Sequence, residues 1–487
     1  MDQAVLRTQK WLNSTYGNNS NYTKIPEDGT TGNRTIKALT TALQIELGIS
    51  TPNGNFGPAT SSAFKTLSAG SKLTNQVYIL QGALFCKGYN PGGFTGNFAD
   101  HTKKAVTQIQ ADAGLSTVNG EVNSLLMKSL LSMDAFTLLT YGSYNGNYNI
   151  RIIQQNLNKN YSSNKYFASN IGLVPCDGIY GRSTNKALLY ALQIEEGISV
   201  PNGVFGPSTK SKCPVLSTRS ANSNFIQLLK YALFCNNFDP KNFNTKFDND
   251  CKDAVTRFQK FCCLSADGIA GAQTWASLLV STGDKTRKGT MCDCSTTITE
   301  AKAKTLKDNG YKSVGRYLTG RYKMTSSEIS TIFNAGLKIF PIFEQGGYQL
   351  SHFVPGNGTS DAKLALEAAK NFGFGKGTII YFTVDFDALD GNVTTSILPY
   401  FKEIHDTFIN YKSEYKIGIY GPRNVCSRVA NAGYSCSSFV CDMSSGFSGN
   451  LGYPLPKDWA IDQISTITIG SGDGQIEIDN DISSEKK

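Results

Sequence analysis

The strongest constraint on this chain is an internal copy. The stretch ALQIELGISTPNGNFGPAT from Ala42 recurs as ALQIEEGISVPNGVFGPST from Ala191, a shift of 149 positions. At the same shift ALFC ending at Cys86 returns as ALFC ending at Cys235, and AVTQIQ from Ala105 as AVTRFQ from Ala254. A unit of this size cannot be one strand or one helix. It must be a small domain used twice, and its periodicity decides the fold of the first half. Each copy divides again. A helix carrying a Gln is followed by an Asp-Gly or Asn-Gly turn, a Thr-led second helix and another Gln. The first quarter runs through Gln9, Leu12, Asp28-Gly29, Thr35, Ala38, Gln44 and Asn53-Gly54. Asp-Gly and Asn-Gly supply the positive φ of a tight turn, and the following Thr or Ser caps the next helix. Ala254, Val255, Phe258 and Phe261 fall at helical spacing and form a buried stripe. The Gln and turn residues read first as structural.

The last quarter shows the pattern most clearly, in Phe258, Gln259, Leu264, Asp267, Gly268, Gly271, Thr274 and Leu278. It resembles the peptidoglycan-binding-like domains, small three-helix modules. That resemblance implies an all-α region with a repeat pair over 1–140 and a second pair over 141–282. The earlier quarters depart from the pattern by insertions at 14–27 and 160–175.

A polar stretch at 283–289 has linker composition. From 290 to 487 short apolar runs alternate with amphipathic helices, the mark of βα units. Strands are predicted at 291–295, 313–318, 338–344, 378–387, 415–421, 438–443, 459–464 and 475–480, with helices at 298–309, 325–335, 360–372, 394–411 and 422–432. Eight strands lead to the expectation of a (βα)8 TIM barrel, compact enough that the last helices must be short or missing.

Active sites of such barrels form at the C-terminal strand ends, so the polar residues there are the candidates. Catalytic candidates are Asp293 on the first strand, Glu344 on the third, Asp385 and Asp387 on the fourth, and Asp479 on the eighth. Arg316, Tyr381, Tyr420, Asp442 and Gln463 are candidates for substrate binding. Side chains i and i+2 share a face of a strand. Tyr381, Thr383, Asp385 and Asp387 therefore share one side, and Ile380, Phe382, Val384 and Phe386 lie under the helices. The same parity turns Asp293 away from Cys292 and Cys294, and lets only one of Asp462 and Gln463 face inward. Paired carboxylates raise one apparent pKa, which leaves a proton for general acid work, and glycoside hydrolysis needs such an acid beside a second carboxylate.

Asp293 and Ser295, GRYL (315–318), the TSSEI helix with NAGLKIFPIFE (334–344), DA (361–362), YFTVDFD (381–387), GIYG (418–421), DQI (462–464) and EIDND (477–481) resemble the family-25 lysozymes. They resemble more closely the related glycoside-hydrolase-like domains of bacterial envelope proteins. The resemblance implies that the strand-four acids hold the general acid, with the strand-one and strand-eight Asp residues lining the cleavage subsite. Family-25 lysozymes carry Asp-x-Glu on strand four where this chain has Asp385-Phe386-Asp387, which leaves Glu344 as an alternative proton donor.

The implied function is a peptidoglycan hydrolase of the muramidase type held on the cell wall by its repeats. The alternatives are a noncatalytic wall-binding protein and a glycosidase acting on another polysaccharide. The net charge of +9 fits an anionic wall polymer, since residues 1–280 carry 25 Lys+Arg against 16 Asp+Glu and the rest is balanced at 22 each. The expected partner is peptidoglycan or a related wall glycan, with no nucleic acid partner and no membrane span. The chain shows no recognisable secretory signal, so the expected location, secreted or wall-associated, implies export by another route such as lysis. No cofactor is expected. Three His without metal-ligand spacing, and Cys292 and Cys294 without a second pair, give no metal site. The 12 Cys are expected to be buried free thiols.

Overall fold

The computed structural model describes residues 1–140 and 145–484, so the boundary expected at 141 falls outside the described residues. The chain separates into two units, Met1–Gly203 and Val204–Lys487. The first holds α1 (Gln3–Tyr16), α2 (Asn33–Glu46), α3 (Pro58–Ala63), α4 (Thr74–Cys86), α5 (Asp100–Asp112), α6 (Ser124–Leu130), α7 (Tyr148–Tyr161), α8 (Lys165–Asn170) and α9 (Arg182–Glu195). An isolated antiparallel bridge, Leu67↔Val122, joins two of its turns.

One buried polar device recurs through these helices. The Gln9 amide oxygen accepts from Gly29 N (2.8 Å), while its nitrogen donates to Asp28, to Thr30 O and to Thr35 Oγ1. Gln44, Gln81, Gln110 and Gln154 close on their own turns in the same way. Each of these Gln side chains ties a helix to the glycine turn that follows it, so that its own buried amide is met on both atoms.

The second unit opens with α10 (Pro207–Lys212), α11 (Ser223–Cys235), α12 (Asn249–Phe261) and α13 (Ala272–Leu279). Gln259 repeats the device on Gly268, Asp267 and Thr274. At the position matching Gln81 stands Lys230, fully buried, with its ammonium on Asn242, Asn244 and Asp248. These helices pack on the barrel that follows them. Trp459 Nε1 donates to Phe261 O (3.2 Å), Arg287 to Cys262 O (3.0 Å), and Arg423 to Ser281 O (2.7 Å). The stretch with linker composition is thus held in place, and Thr282 within its approach is fully buried.

Eight strands close the barrel in sequence order: β1 (Met291–Asp293), β2 (Ser313–Tyr317), β3 (Lys338–Phe343), β4 (Ile379–Thr383), β5 (Lys416–Gly421), β6 (Ser437–Val440), β7 (Trp459–Ile469) and β8 (Ile476–Ser483). Between them run α14 (Glu300–Asp308), α15 (Ser326–Asn334), α16 (Asn357–Asn371), α17 (Asp390–Asn392), continuing through a π turn (Val393–Ile397) into α18 (Leu398–Asn410), and α19 (Arg423–Asn431).

The expectation of an all-parallel (βα)8 TIM barrel is overturned. β1 to β7 pair in parallel, but β8 is antiparallel to both β7 and β1, so the barrel is mixed. The cause is the connection. Only residues 470–475 join β7 to β8, and a parallel crossover needs about a dozen residues or more. The chain makes a hairpin instead, and β7 and β8 are both longer than any other strand.

The apolar faces sort as alternation requires. Ile380, Phe382 and Val384 are fully buried under α16 and α18, against Ala365, Phe401 and Ile404. Tyr381 packs inside the barrel with Phe340, Ile342, Phe439 and Ile461. Cys292 and Cys294 join Ile298, Ala303 and Leu306 beneath α14. Eight of the 12 cysteines are buried.

Candidate active site

Asp293 is the last residue of β1, and its direct partner across the antiparallel ladder is Asp479 on β8. This pairing follows from the hairpin. Asp479 lies in the middle of β8, and it reaches the level of the β1 end because β8 runs the other way. Two carboxylates directly opposite repel unless something lies between them. Here the Gln463 amide nitrogen on β7 donates to both, to Asp293 Oδ2 (2.8 Å) and Asp479 Oδ2 (3.2 Å), and its oxygen accepts from the Tyr420 hydroxyl (3.1 Å). Thr466 Oγ1 donates to the other Asp479 oxygen (2.6 Å).

The remaining acids arrive on the next strands. Glu344 directly follows β3, and Asp385 stands two residues beyond β4. The turn after β3 is drawn onto the end of β4, where Asp385 N donates to Gly347 O (2.7 Å). A Cβ at Gly347 would lie 2.2 Å from Thr383 Oγ1, so only glycine permits the approach. His352 Nε2 bonds Asp361 (2.7 Å), which also accepts from the Tyr400 hydroxyl (2.6 Å), and the His352 ring lies against Gly346. This triad buttresses the turn that carries Glu344.

Four carboxyl groups therefore share one end of the barrel, and all four titrate high. Burial, and then the Asp479 charge, raises Asp293 well above the usual carboxylate range against the lowering by Gln463. Burial followed by Asp479 raises Asp385. Burial, opposed by the Thr466 hydrogen bond, raises Asp479. Burial followed by Asp385 pushes Glu344 up to about 7. The arrangement offers protonated and ionised carboxyl groups together near neutral pH.

The structure also shows which candidates stand elsewhere. Asp387 is exposed, and its carboxylate accepts from the Ser448 backbone N–H and hydroxyl. Arg316 is buried outside the barrel, pairing with Glu328 (2.8 Å) and donating to Cys294 O. Asp442 is fully buried in a pair with Arg423 (2.6 Å). The Tyr381 hydroxyl bonds Ser437 at the start of β6, the opposite end of the barrel (2.9 Å). Asp462 faces away from the barrel interior toward Arg287 (3.8 Å), leaving Gln463 inward.

One inward residue escaped the sequence reading. Tyr317 ends β2, and Asp293, Glu344, Asp385 and Asp479 all bear electrostatically on its phenol, which together with burial raises its pKa. The signal lay in the alternation, since Gly315 and Tyr317 share the face opposite Arg316. Gly315 has to be small, as a Cβ there would sit 2.5 Å from the Phe340 ring and 2.7 Å from Asp293 Cβ. Among the described residues no group of three or more His, Cys, Asp and Glu could hold a metal ion, and no helix is long and apolar enough to cross a membrane.

Comparison with known proteins adds two family matches. Residues 304–483 match the Rv2525c-like, glycoside hydrolase-like domain. Residues 2–125 and 143–279 match the FadG/YbfG, PGDB-like domain. Over 99% of its length the chain is 51% identical to the uncharacterized protein YbfG of Bacillus subtilis (strain 168), covering 67% of that protein, and 47% identical to the uncharacterized protein FadG of the same strain, covering 85% of it. The chain belongs to the FadG/YbfG family. The C-terminal part is a glycoside-hydrolase-like domain of the Rv2525c kind. In the N-terminal part the family found is the PGDB-like one, which corrects the expectation of all-α peptidoglycan-binding-like repeats. Among solved structures the Mycobacterium tuberculosis Tat-secreted protein Rv2525c, in complex with HEPES, is 18% identical and covers 40% of this chain and 95% of its own, with a TM-score of 0.33.

Proposed function

We propose that the barrel hydrolyses a glycosidic bond of a cell-wall glycan and that the family's N-terminal region holds the protein on that wall. The observation that carries this reading is the shared field of Asp293, Glu344, Asp385 and Asp479 at one end of the barrel. Glycoside hydrolysis needs a carboxylic acid to protonate the leaving oxygen and a second carboxylate to activate water or stabilise positive charge on the sugar. Glu344, with a pKa of about 7 and a half-buried side chain, is suited to the acid role. Asp385 beside it is suited to the carboxylate role, and Asp293 and Asp479, bridged by Gln463, line the subsite. Tyr317 and Tyr420 supply aromatic and hydroxyl surface for sugar. The motif likeness to family-25 lysozymes favours the muramidase bond, and tethering to wall raises the effective concentration of the site at its substrate.

Purified wall sacculi incubated with the protein test this. Mass spectrometry of the released fragments should find reducing muramic-acid ends with wild type and not with Asp385→Asn. Equal release by both proteins would remove Asp385 from the chemistry, and no release by wild type from any wall would remove the hydrolase.

A further inference from the structure

A cleft of about 530 Å³ opens in the first unit between residues 21–26, α2 and the turn at Pro52-Asn53. This falls within the range of small-ligand sites, roughly 300–1,000 Å³. Its walls carry Lys24, Arg34 and Lys37 together with Tyr22, Thr41 and Asn53. Arg34, Lys37 and Thr41 follow one another at helical spacing along one side of α2. All three cations are exposed, and none pairs with a carboxylate among the described residues. The acids nearest it are held by neutral amides, Glu27 by Asn13 (3.0 Å) and Asp28 by Gln9 (2.9 Å), and of these Glu27 bears electrostatically on Tyr22, so three cations outnumber the acid that faces them. The cleft is thus positive, rich in hydroxyl and amide groups, and floored by an aromatic ring.

The internal copy supplies a control built into the same chain. Asn13 holds Ile25 by two hydrogen bonds (2.8 and 3.0 Å), and Asn158 holds Val174 by the same two (2.9 and 2.7 Å), which fixes the correspondence. In the second copy Lys24 is matched by Leu173, only 4% exposed, and Arg34 by Ser183. Thr41 is matched by Tyr190, whose ring lies 2.4 Å from where a Cβ on Gly203 would stand, against Lys37 and Thr41 around Gly54. Lys186 is retained, but its ammonium lies over the Tyr190 ring (5.9 Å). The scaffold is the same in both copies. At the matching positions two cations are gone, with an arginine one place earlier at Arg182 instead of Asn33, and a tyrosine occupies the space.

We propose that the first-copy cleft binds an anionic, hydroxyl-rich polymer, a polyol-phosphate chain or an acidic glycan, and that the second copy lacks this site. Neutral sugar would not need three unpaired cations, and a scaffold role would have retained them in both copies. The proposal rests on the wall-anchoring part of the reading above and is independent of whether the barrel cuts.

The test is cosedimentation of the full chain with wall sacculi, intact and after acid stripping of their phosphate polymers, in an Asp385→Asn background so that turnover plays no part. The triple variant K24L/R34S/T41Y gives the first copy the side chains of the second, and R34E/K37E changes only two exposed positions. Both should weaken binding to intact sacculi by about tenfold or more, with the wild-type affinity falling as salt is raised. Lys186→Ala should change it less than about twofold. Loss of wild-type binding on stripping assigns the charge to phosphate. Retained binding that the variants still abolish assigns it to glycan carboxylates. Wild-type affinity in both variants on both kinds of wall, with unchanged circular dichroism, overturns the proposal.

Discussion

The turn glutamines of the helical modules and the acids inside the barrel are both buried polar side chains, and they are held in opposite ways. In the helical modules each buried glutamine among Gln9, Gln44, Gln81, Gln110, Gln154 and Gln259 meets a turn that satisfies it on both amide atoms. In the barrel Asp293 faces Asp479 across a ladder. One position deeper on the same face of β8, Asp481 is fully buried with neither carboxylate oxygen hydrogen-bonded. Burial, followed by the charges of Asp293, Asp479 and Asp462, raises Asp481 well above its usual range. A satisfied polar group stabilises and specifies a turn, whereas clustered carboxyl groups cost stability at neutral pH and persist where their chemistry is used. The contrast separates scaffold from site more sharply than burial alone.

The largest effect that could break this contrast is on turnover. Asp293→Asn should lower glycan release by about 10³-fold, roughly 4 kcal/mol of transition-state stabilisation, without lowering the thermal unfolding temperature at pH 7. A destabilised but active variant would place Asp293 with the glutamines. Next in size, Gln259→Ala leaves the Gly268 N–H and its partners unmet in a buried turn, a loss of about 3 kcal/mol. Hydrogen exchange at the Gly268 amide should quicken by roughly 10²-fold, and an unchanged rate would refute the closing role of the amide.

Glu344→Gln sharpens the comparison through pH. An acid that must be protonated to act makes kcat/KM fall as pH rises through about 7, and the variant should lose that limb along with most of its activity. The stability sign is the same. A carboxyl whose folded pKa is raised above the unfolded value near 4.5 makes the folded state the better proton binder. Wild type should therefore lose stability between pH 4.5 and about 7, and the variant should lose less over that window in thermal melts. A limb near pH 7 that survives in the variant would move the acid role to another carboxyl. The smallest effect concerns Lys230, where the last repeat replaces glutamine by an ion pair with Asp248. Lys230→Gln should change stability by no more than about 1 kcal/mol in denaturant titration, because Asp248 is 30% exposed and keeps Asn242, Asn244 and the Cys251 N–H as partners.

Much of the barrel was legible because its signals are local. Strand positions follow from short apolar runs, and parity put Ile380, Phe382 and Val384 of β4 and its end under the helices, and at β1 put Cys292 and Cys294 on the far side from Asp293. The same rule on β2 shows Tyr317 inward and Arg316 outward, although Arg316 drew attention because a charged residue late in a strand resembles a ligand contact. Its partner Glu328 belongs to the helix after that strand, and Arg423, the partner of Asp442, belongs to α19. No spacing within a strand reveals such pairings. The difference between the two copies of the repeat was readable at Thr41 and Tyr190, but its meaning required the cleft.

By itself the sequence determined the duplication, the glutamine-and-turn pattern, the eight strand positions and the presence of acids near strand ends, because each depends on neighbours within a few residues. The tertiary structure alone decided that β8 runs backwards, that Asp479 consequently faces Asp293, and that Gln463 bridges them. Strand direction in a closing sheet is set by the length of the connection and by hydrogen bonds to partners 190 residues away, as in the pairing of Met291 with Asp481.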